Sequence, residues 1–169
     1  MKSFILAVAC LLTVAASAEA QSAIDMALAA APARAREGTT VIKWNADHTY
    51  ETLQQGTNQL VCYDRSSERG RRPFAVQCTN LANLDRVAQN RRFRAATTDR
   101  DSETAMIRAA EANGTRAEVA YGSMFIAMSG PDMASAGTHT TIAVPGATAA
   151  STGFPTSREG GGAYLMEAG

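Results

Sequence analysis

The chain has 169 residues, with 16 Lys or Arg against 16 Asp or Glu, so its formal net charge at pH 7 is zero. A neutral chain lacks the global positive charge that draws proteins to nucleic acids or acidic membrane surfaces, and we expect no nucleic-acid partner. A chain of this length fits one domain that buries a core without heavy cross-linking.

The first twenty residues have the parts of a cleavable secretory signal peptide. Lys2 supplies the positive start, residues 4–16 are an almost unbroken apolar run, and Ala18 and Ala20 place small side chains at the two positions that signal peptidase reads. The run is shorter than the roughly 20 apolar residues of a membrane-spanning helix, and no later segment approaches that length. We predict cleavage after Ala20, a single mature domain at residues 21–169, no transmembrane segment, and a periplasmic or extracellular location.

Removal of the leader leaves Cys62 and Cys78 as the cysteines of the mature chain. In an oxidising compartment they allow one pairing, which would close a loop of about 15 residues and contribute ~3 kcal/mol. A metal site or a nucleophilic thiol is the alternative, but neither cysteine belongs to a C-x-x-C pair or adjoins a His. We predict a structural Cys62–Cys78 disulfide. A lipoprotein signal centred on Cys10 is disfavoured, because apolar residues continue past that cysteine.

The first half of the mature chain predicts one helix followed by four strands. Residues 22–36 are rich in alanine, which favours a helix, and Pro32 limits its length. Runs of β-branched and aromatic residues predict strands at residues 39–44, 49–53, 59–63 and 74–78. The short turns between the first three strands are typical of a β-meander. The charged segment 64–73, with its Arg71-Arg72 pair, is predicted to be an exposed loop inside the disulfide ring.

Two helical patterns follow the fourth strand. Apolar residues recur at three- and four-residue spacing from Leu81, which predicts an amphipathic helix to about residue 96. Thr98 and Asp101 have capping-box spacing, and Asn113-Gly114 predicts a left-handed helix end. The pattern is equally compatible with two helices and with one long helix whose central residues have weak helix propensity.

The C-terminal third predicts three further strands, at residues 124–128, 140–144 and 163–166, with a loop at 147–162. The complete pattern predicts an α+β fold. We expect a mainly antiparallel sheet with a disulfide-tied loop, packed by one or two central helices and by the N-terminal helix.

Acid–base and nucleophilic residues are few and scattered. His48 and His139 are the two imidazoles of the chain, and together with Asp47 they would hold a divalent metal if the fold joined them. A pocket lined by His139, Trp44 and Tyr121 would instead indicate ligand binding. We favour a non-catalytic binding or interaction module, without a cofactor, for a small ligand or a protein partner. The alternative is a metal-dependent protein or hydrolase centred on His139.

Several runs of the chain resemble a group of small secreted or periplasmic bacterial proteins. They are Ala-Ala-Pro before the Thr-Thr-Val-Ile-Lys-Trp strand, Gly56-Thr57-Asn58 ahead of Cys62, Gly122-Ser123-Met124, His139-Thr140-Thr141 and Val144-Pro145-Gly146. None is a catalytic motif, so the resemblance implies a bacterial exported single domain and no particular activity. It also implies a C-terminal strand beyond Gly169, as in a truncated chain.

Overall fold

The structure is a computed structural model that describes residues 19–166. Residues 1–18, which hold most of the predicted signal peptide, lie outside the described residues. The described chain divides into two compact units. The first holds the residues up to Leu81 together with Met124–Thr141, and the second holds Ala82–Ser123 and the residues from Ile142 onward.

The N-terminal segment of the first unit is helical, as the alanine-rich composition predicts. Residues 19–27 lie in an α-helix, α1, which tightens into a 3-10 turn at Leu28–Ala30. Pro32 follows, and a second 3-10 segment occupies Ala33–Gly38. The apolar face of this segment packs on the sheet, and its core residues are Ile24, Ala27, Ala30 and Ala31. The small side chains of the three alanines allow the segment to lie close to the strands.

Six strands form one mainly antiparallel sheet. Their bounds are β1 Thr40–Trp44, β2 Tyr50–Gln54, β3 Leu60–Asp64, β4 Phe74–Asn80, β5 Met124–Gly130 and β6 Gly137–Ile142. The order across the sheet is β2-β1-β3-β4-β5-β6. Strand β1 pairs with β3 in parallel, whereas the β1–β2, β3–β4 and β4–β5 pairs are antiparallel.

The predicted β-meander is wrong, because β3 pairs with β1 instead of β2. Strand β3 is buried over its first four residues, whereas the first three residues of β2 are exposed. A strand that is buried on both faces is stabilised in the interior of a sheet, and a polar strand tolerates the edge. Residues 55–59 therefore cross the start of β1, where the N–H groups of Thr57 and Asn58 donate to the carbonyl oxygen of Gly38.

The predicted Cys62–Cys78 disulfide is confirmed. The two cysteines lie directly opposite each other on β3 and β4, with their Cα atoms 4.0 Å apart. Both are fully buried in the core that α1 contributes to. The bridge ties the base of the loop between the two strands, as the sequence predicts.

The second unit contains two helices that pack on each other, α2 at Leu84–Ala95 and α3 at Arg100–Ala112. The sequence left one or two helices open, and the break before Arg100 gives two. The predicted capping box of Thr98 and Asp101 is wrong, because the helix begins one residue later with a single N-cap hydrogen bond. Asp99, not Thr98, caps α3, because the Thr98 hydroxyl donates to the Asp99 carboxylate, which itself accepts from the Ser102 N–H. The predicted end at Asn113-Gly114 is confirmed.

The last predicted strand, at residues 163–166, is wrong, since these residues lie in no strand. Local contacts hold this segment instead: the Leu165 N–H donates to the Pro155 carbonyl, and Arg158 contacts the ring and hydroxyl of Tyr164. The predicted strand 140–144 is displaced to β6, and the predicted loop contains a short helix, α4, at Ala149–Thr152. The α+β class, with its mainly antiparallel sheet, packed helices and disulfide-tied loop, is confirmed.

Candidate functional site

The two histidines lie far apart in the sheet. His48 belongs to the turn between β1 and β2, and His139 lies on β6. Four inter-strand spacings of about 4.8 Å separate β1 from β6 in the sheet order, or about 19 Å, whereas a shared metal requires ligand bonds of about 2 Å. The structure therefore does not bring these two imidazoles to one metal site.

Asp47, the third predicted ligand, is bound within its own turn. The N–H and the hydroxyl of Thr49 donate to its Oδ1 at 3.0 and 2.6 Å, and these hydrogen bonds lower the pKa of the Asp47 carboxyl. Within residues 19–166, no group of three or more His, Cys, Asp or Glu side chains is placed to hold a metal ion. No metal centre is assembled around His48 or His139 in this part of the chain.

Two of the three residues predicted to line a binding pocket, Trp44 and His139, lie on different strands of the sheet. The Trp44 ring is half-buried and makes edge-to-face contacts with Tyr50 and Tyr63, at centroid distances of 5.5 and 5.8 Å. His139 is exposed four strands away, where its Nε2 lies 3.2 Å from the Thr141 hydroxyl. Tyr121 belongs to the second unit and is 78% exposed. Trp44 and His139 thus do not share a pocket.

A different group of polar side chains converges where β3 and β4 meet their connecting loop. Side chains alternate along a strand, so Tyr63 and Arg65 share the sheet face opposite to Cys62. The Tyr63 hydroxyl and Arg65 Nη1 both donate to Gln77 Oε1, at 3.0 and 2.7 Å. The Nε and Nη2 groups of Arg65 donate to Glu68 Oε2, at 3.0 and 2.8 Å. The Glu68 side chain is only 6% exposed, so a buried ion pair anchors the loop.

The loop then reverses direction and returns over the sheet. Gly70 has φ of 74°, a left-handed conformation that glycine adopts without steric cost. The Arg71 N–H donates to the Glu68 carbonyl, and the Arg65 N–H donates to the Ala75 carbonyl. This reversal places Arg71 and Arg72 beside Arg65.

The three arginines border a recess of about 230 Å³. Its lining residues are Arg65, Gly70, Arg71, Arg72, Ala75, Val76, Ala127, Met128 and Ser129. We call this site the arginine recess. The loop supplies its cationic wall, whereas β4 and β5 supply its floor. The side chains of Ala75, Ala127 and Ser129 lie on the same sheet face as Arg65, whereas those of Val76 and Met128 lie on the core face.

Positive charge predominates in the arginine recess. Glu68 neutralises Arg65 directly, and Arg71 Nε lies 3.6 Å from the same Glu68 oxygen. Arg72 is exposed, and among the described residues its side chain has no hydrogen bond or ion pair. Three guanidinium groups against one carboxylate leave an excess of two positive charges. Guanidinium groups bind carboxylate, phosphate and sulfate oxygens through paired, charge-assisted hydrogen bonds, so the recess is suited to an anion.

The side chains that line the arginine recess are mainly cationic and apolar. Of the described residues that line it, Ser129 has the only hydroxyl, and none is a His, Cys, Asp or Glu. A nucleophile needs an adjacent base, and none of these side chains supplies one. The Glu68 carboxylate beside the recess is engaged by Arg65, and the lining side chains are suited to holding an anion.

The arginine recess is not among the sites predicted from the sequence. The Arg71-Arg72 pair and the disulfide ring were both visible in the sequence, and four arginines against two acids in residues 64–73 were an available signal. The floor of the recess could not be predicted from the sequence. Ala127 and Met128 follow the loop by more than fifty residues, and they reach it only because β5 pairs with β4.

No described helix is long and apolar enough to cross a membrane. Comparison with protein-family models, with curated proteins and with solved structures found no match to this chain.

Proposed function

We propose that this chain is an exported, non-catalytic binding module that holds the anionic group of a small ligand in the arginine recess. The observation that carries the proposal is the set of three guanidinium groups against one carboxylate, around an open recess whose floor includes the side chains of Ala75 and Ala127. Ligand sites combine such apolar walls with a few convergent polar groups. The volume of about 230 Å³ is smaller than typical pockets for drug-sized molecules, which favours a small anion or an anionic head group.

Binding is favoured over catalysis by the chemistry of the lining side chains. Arginine stays protonated at all physiological pH values, so it attracts anions but does not act as a base. The ion pair of Arg65 with Glu68 and the hydrogen bond to Gln77 hold the Arg65 guanidinium in place before a ligand arrives. Such preorganisation lowers the entropy lost on binding.

Export to the periplasm or the extracellular space is part of this proposal. A buried disulfide agrees with an oxidising compartment, and so does the resemblance to secreted bacterial proteins. The buried core residues of the described chain all follow Ala20, starting with Ile24, so cleavage at Ala20 would leave them intact. N-terminal sequencing of the protein from culture medium or periplasm tests the cleavage, and we expect Gln21 as its first residue.

Calorimetric titration of the purified chain with inorganic phosphate, at neutral pH and low salt, tests the binding site. We expect saturable binding that the Arg72→Gln substitution weakens about tenfold or more, because a hydrogen bond to a charged group contributes about 1.5–3 kcal/mol. Among the described residues the Arg72 side chain makes no hydrogen bond or ion pair, so its substitution should leave the fold unchanged.

The matched control is Arg92→Gln, which removes the same charge from an exposed position on α2. Phosphate affinity should stay within about twofold of wild type in this variant. If the unsubstituted chain binds no phosphate, or if both variants bind it as tightly as wild type, the arginine recess is not an anion site.

A further inference from the structure

The free edge of the sheet at β6 is a surface that another chain can extend. β6 is the last strand in the sheet order, so it has a neighbouring strand, β5, on one side only. Five of its six residues are exposed. We propose that this edge pairs with the same strand of a second copy of the chain, in an antiparallel dimer. The pairing is independent of the arginine recess and of the function proposed for it.

Alternate residues of β6 direct their backbone groups away from β5. Directly after β6, the Ala143 N–H donates to the Ser123 carbonyl, and the Ala143 carbonyl accepts from the Gly122 N–H, so Ala143 points towards the β5 side. The hydrogen-bonding direction alternates along an antiparallel strand, so the second, fourth and sixth residues of β6 point away from β5. These residues are Thr138, Thr140 and Ile142.

The backbone groups on this edge have no partner in the part of the chain that the structure describes. Outside the sheet ladder, no hydrogen bond joins the N–H or the carbonyl of Thr138, Thr140 or Ile142 to another described residue. A row of such donors and acceptors is a template for pairing with a further strand. The partner that fits this edge is therefore an extended backbone.

The two edges of the sheet differ in how they resist such pairing. At the other edge, β2 carries Glu51, which forms an ion pair with Lys43 of β1, and a bulge at Leu53 interrupts its register with β1. Charges and bulges are the usual protection of an edge strand against other chains. β6 contains no Lys, Arg, Asp, Glu or Pro. The protection of β2 disfavours a contact of β6 with β2, which would continue into filaments.

The spacing of the outward-facing residues makes the β6 edge complementary to itself. Thr140 lies midway between Thr138 and Ile142, so a two-fold axis at Thr140 pairs Thr138 with Ile142 of the partner subunit. Thr140 then pairs with Thr140 of the partner subunit. Each of the three resulting pairs exchanges two backbone hydrogen bonds, about six in all. Paired threonines are favourable across strands, and no like charges meet.

Such a contact is small, so the dimer should be weak and reversible. Stable protein–protein interfaces bury about 1,200–2,000 Å². One pair of six-residue strands is smaller than this, so we expect a dissociation constant on the order of 100 µM. A two-fold contact uses the same surface of both copies, so assembly should stop at the dimer.

Sedimentation equilibrium of the purified chain, from about 10 µM to about 1 mM, tests the association. We expect a monomer–dimer equilibrium without larger species. Thr140→Lys places two like charges at the two-fold axis, so it should weaken the association at least about tenfold. The matched control is Thr52→Lys on β2, which should stay within about twofold of wild type. Both threonines are exposed, so both variants should fold.

Amide hydrogen exchange identifies the contact surface. In wild type, the N–H groups of Thr138, Thr140 and Ile142 should exchange more slowly as the protein concentration rises, because they become hydrogen-bonded in the dimer. The N–H of Thr52 should exchange at the same rate throughout. A chain that stays monomeric at about 1 mM would overturn the proposal. So would a dimer that leaves these three amides unprotected, or one that Thr140→Lys forms as tightly as wild type.

Discussion

Gly56 lies where residues 55–59 cross from β2 to β3 past the start of β1. A Cβ atom at this position would overlap the carbonyl oxygen of Gly38 and the backbone of Thr39 and Thr40. The N–H groups of Thr57 and Asn58 both bond to Gly38, so the crossing segment cannot move away without losing hydrogen bonds. The close approach requires a residue without a side chain.

The Gly56→Ala substitution should lower the free energy of unfolding by about 1–3 kcal/mol, the usual cost of overpacking a rigid site. Urea unfolding followed by circular dichroism measures the change. Gly137→Ala is the matched control, because a Cβ there meets no atom within 4 Å and its φ is not positive, and it should change stability by less than about 0.5 kcal/mol. Equal stabilities of the two variants would show that the crossing tolerates a side chain.

The role of a single residue could be predicted where the number of candidates or the local sequence determines it. Two cysteines in the mature chain allow one pairing, and that pairing is present. The role of Gly56 was not predictable, because it depends on which strand β3 pairs with. Its Gly-Thr-Asn context indicated only a turn.

Helix α3 shows how one carboxylate determines where an element begins. Asp99 has extended backbone angles and accepts hydrogen bonds from the N–H of Ser102 and the hydroxyl of Thr98, at 2.8 and 3.1 Å. These bonds favour the ionised form, mainly through Ser102, and lower the pKa of Asp99 to about 2. The negative charge also interacts favourably with the positive end of the helix dipole.

We expect the cap to be pH-dependent in a defined direction. The folded pKa of about 2 is lower than the ordinary 3.8, so the cap stabilises the fold fully above about pH 4. This contribution is lost as the pH falls through 2. NMR titration of the Asp99 carboxyl measures the pKa directly, and a value of 3.8 or higher would contradict the capping role.

Substitution separates the charge of Asp99 from its hydrogen bonds. Asp99→Ala should increase hydrogen exchange of the Ser102 amide and fray the first turn of α3. Asp99→Asn should retain the cap, because Asn is an equally good N-cap residue, but remove the acid-induced loss of stability. Identical exchange at Ser102 in wild type and Asp99→Ala would show that the bond does not hold the helix start.

The β3–β4 hairpin is the element that carries the arginine recess, and its disulfide should contribute strongly to stability. Replacement of Cys62 and Cys78 by Ala together should lower the free energy of unfolding by ~3 kcal/mol or more, from the lost constraint on a loop of about 15 residues and from the lost buried sulfur. Urea unfolding of oxidised wild type and of the double variant measures the difference.

Reduced wild type is the control that separates the bridge from the volume of the sulfur atoms. It should be less stable than the oxidised chain and more stable than the double Ala variant. Free-thiol titration of the denatured mature chain should find no reactive thiol before reduction. Two reactive thiols would refute the disulfide.

The positions of the strands in the sequence were largely predictable, but the pairing of the strands in the sheet was not. Alternating and β-branched runs identified β1 to β5, because local side-chain patterns reflect burial. The order of β2 and β3 depends on burial across the whole sheet, which short turns do not reveal. The segment at 163–166 has a strand-like composition, yet local contacts of Tyr164 with Arg158 replace strand pairing.

On the scale of the whole molecule, a chain with no net charge contains a local excess of positive charge in the loop between β3 and β4. The formal net charge is zero, whereas residues 64–73 carry four arginines and two acids. The fold concentrates three of these arginines around the arginine recess and lays them over β5. Composition excluded a generally cationic protein, but it could not predict this arrangement, which needs the tertiary structure.

The most direct test of the proposed binding site is to observe the arginine side-chain NMR signals while sulfate is added. The Nε–H signals of Arg71 and Arg72 should shift with one saturable dependence on sulfate concentration, and that of Arg65 should follow. The signals of Arg92 and Arg158, which lie outside the recess, should stay in place. Small shifts that grow linearly and equally at all five arginines would contradict a specific anion site.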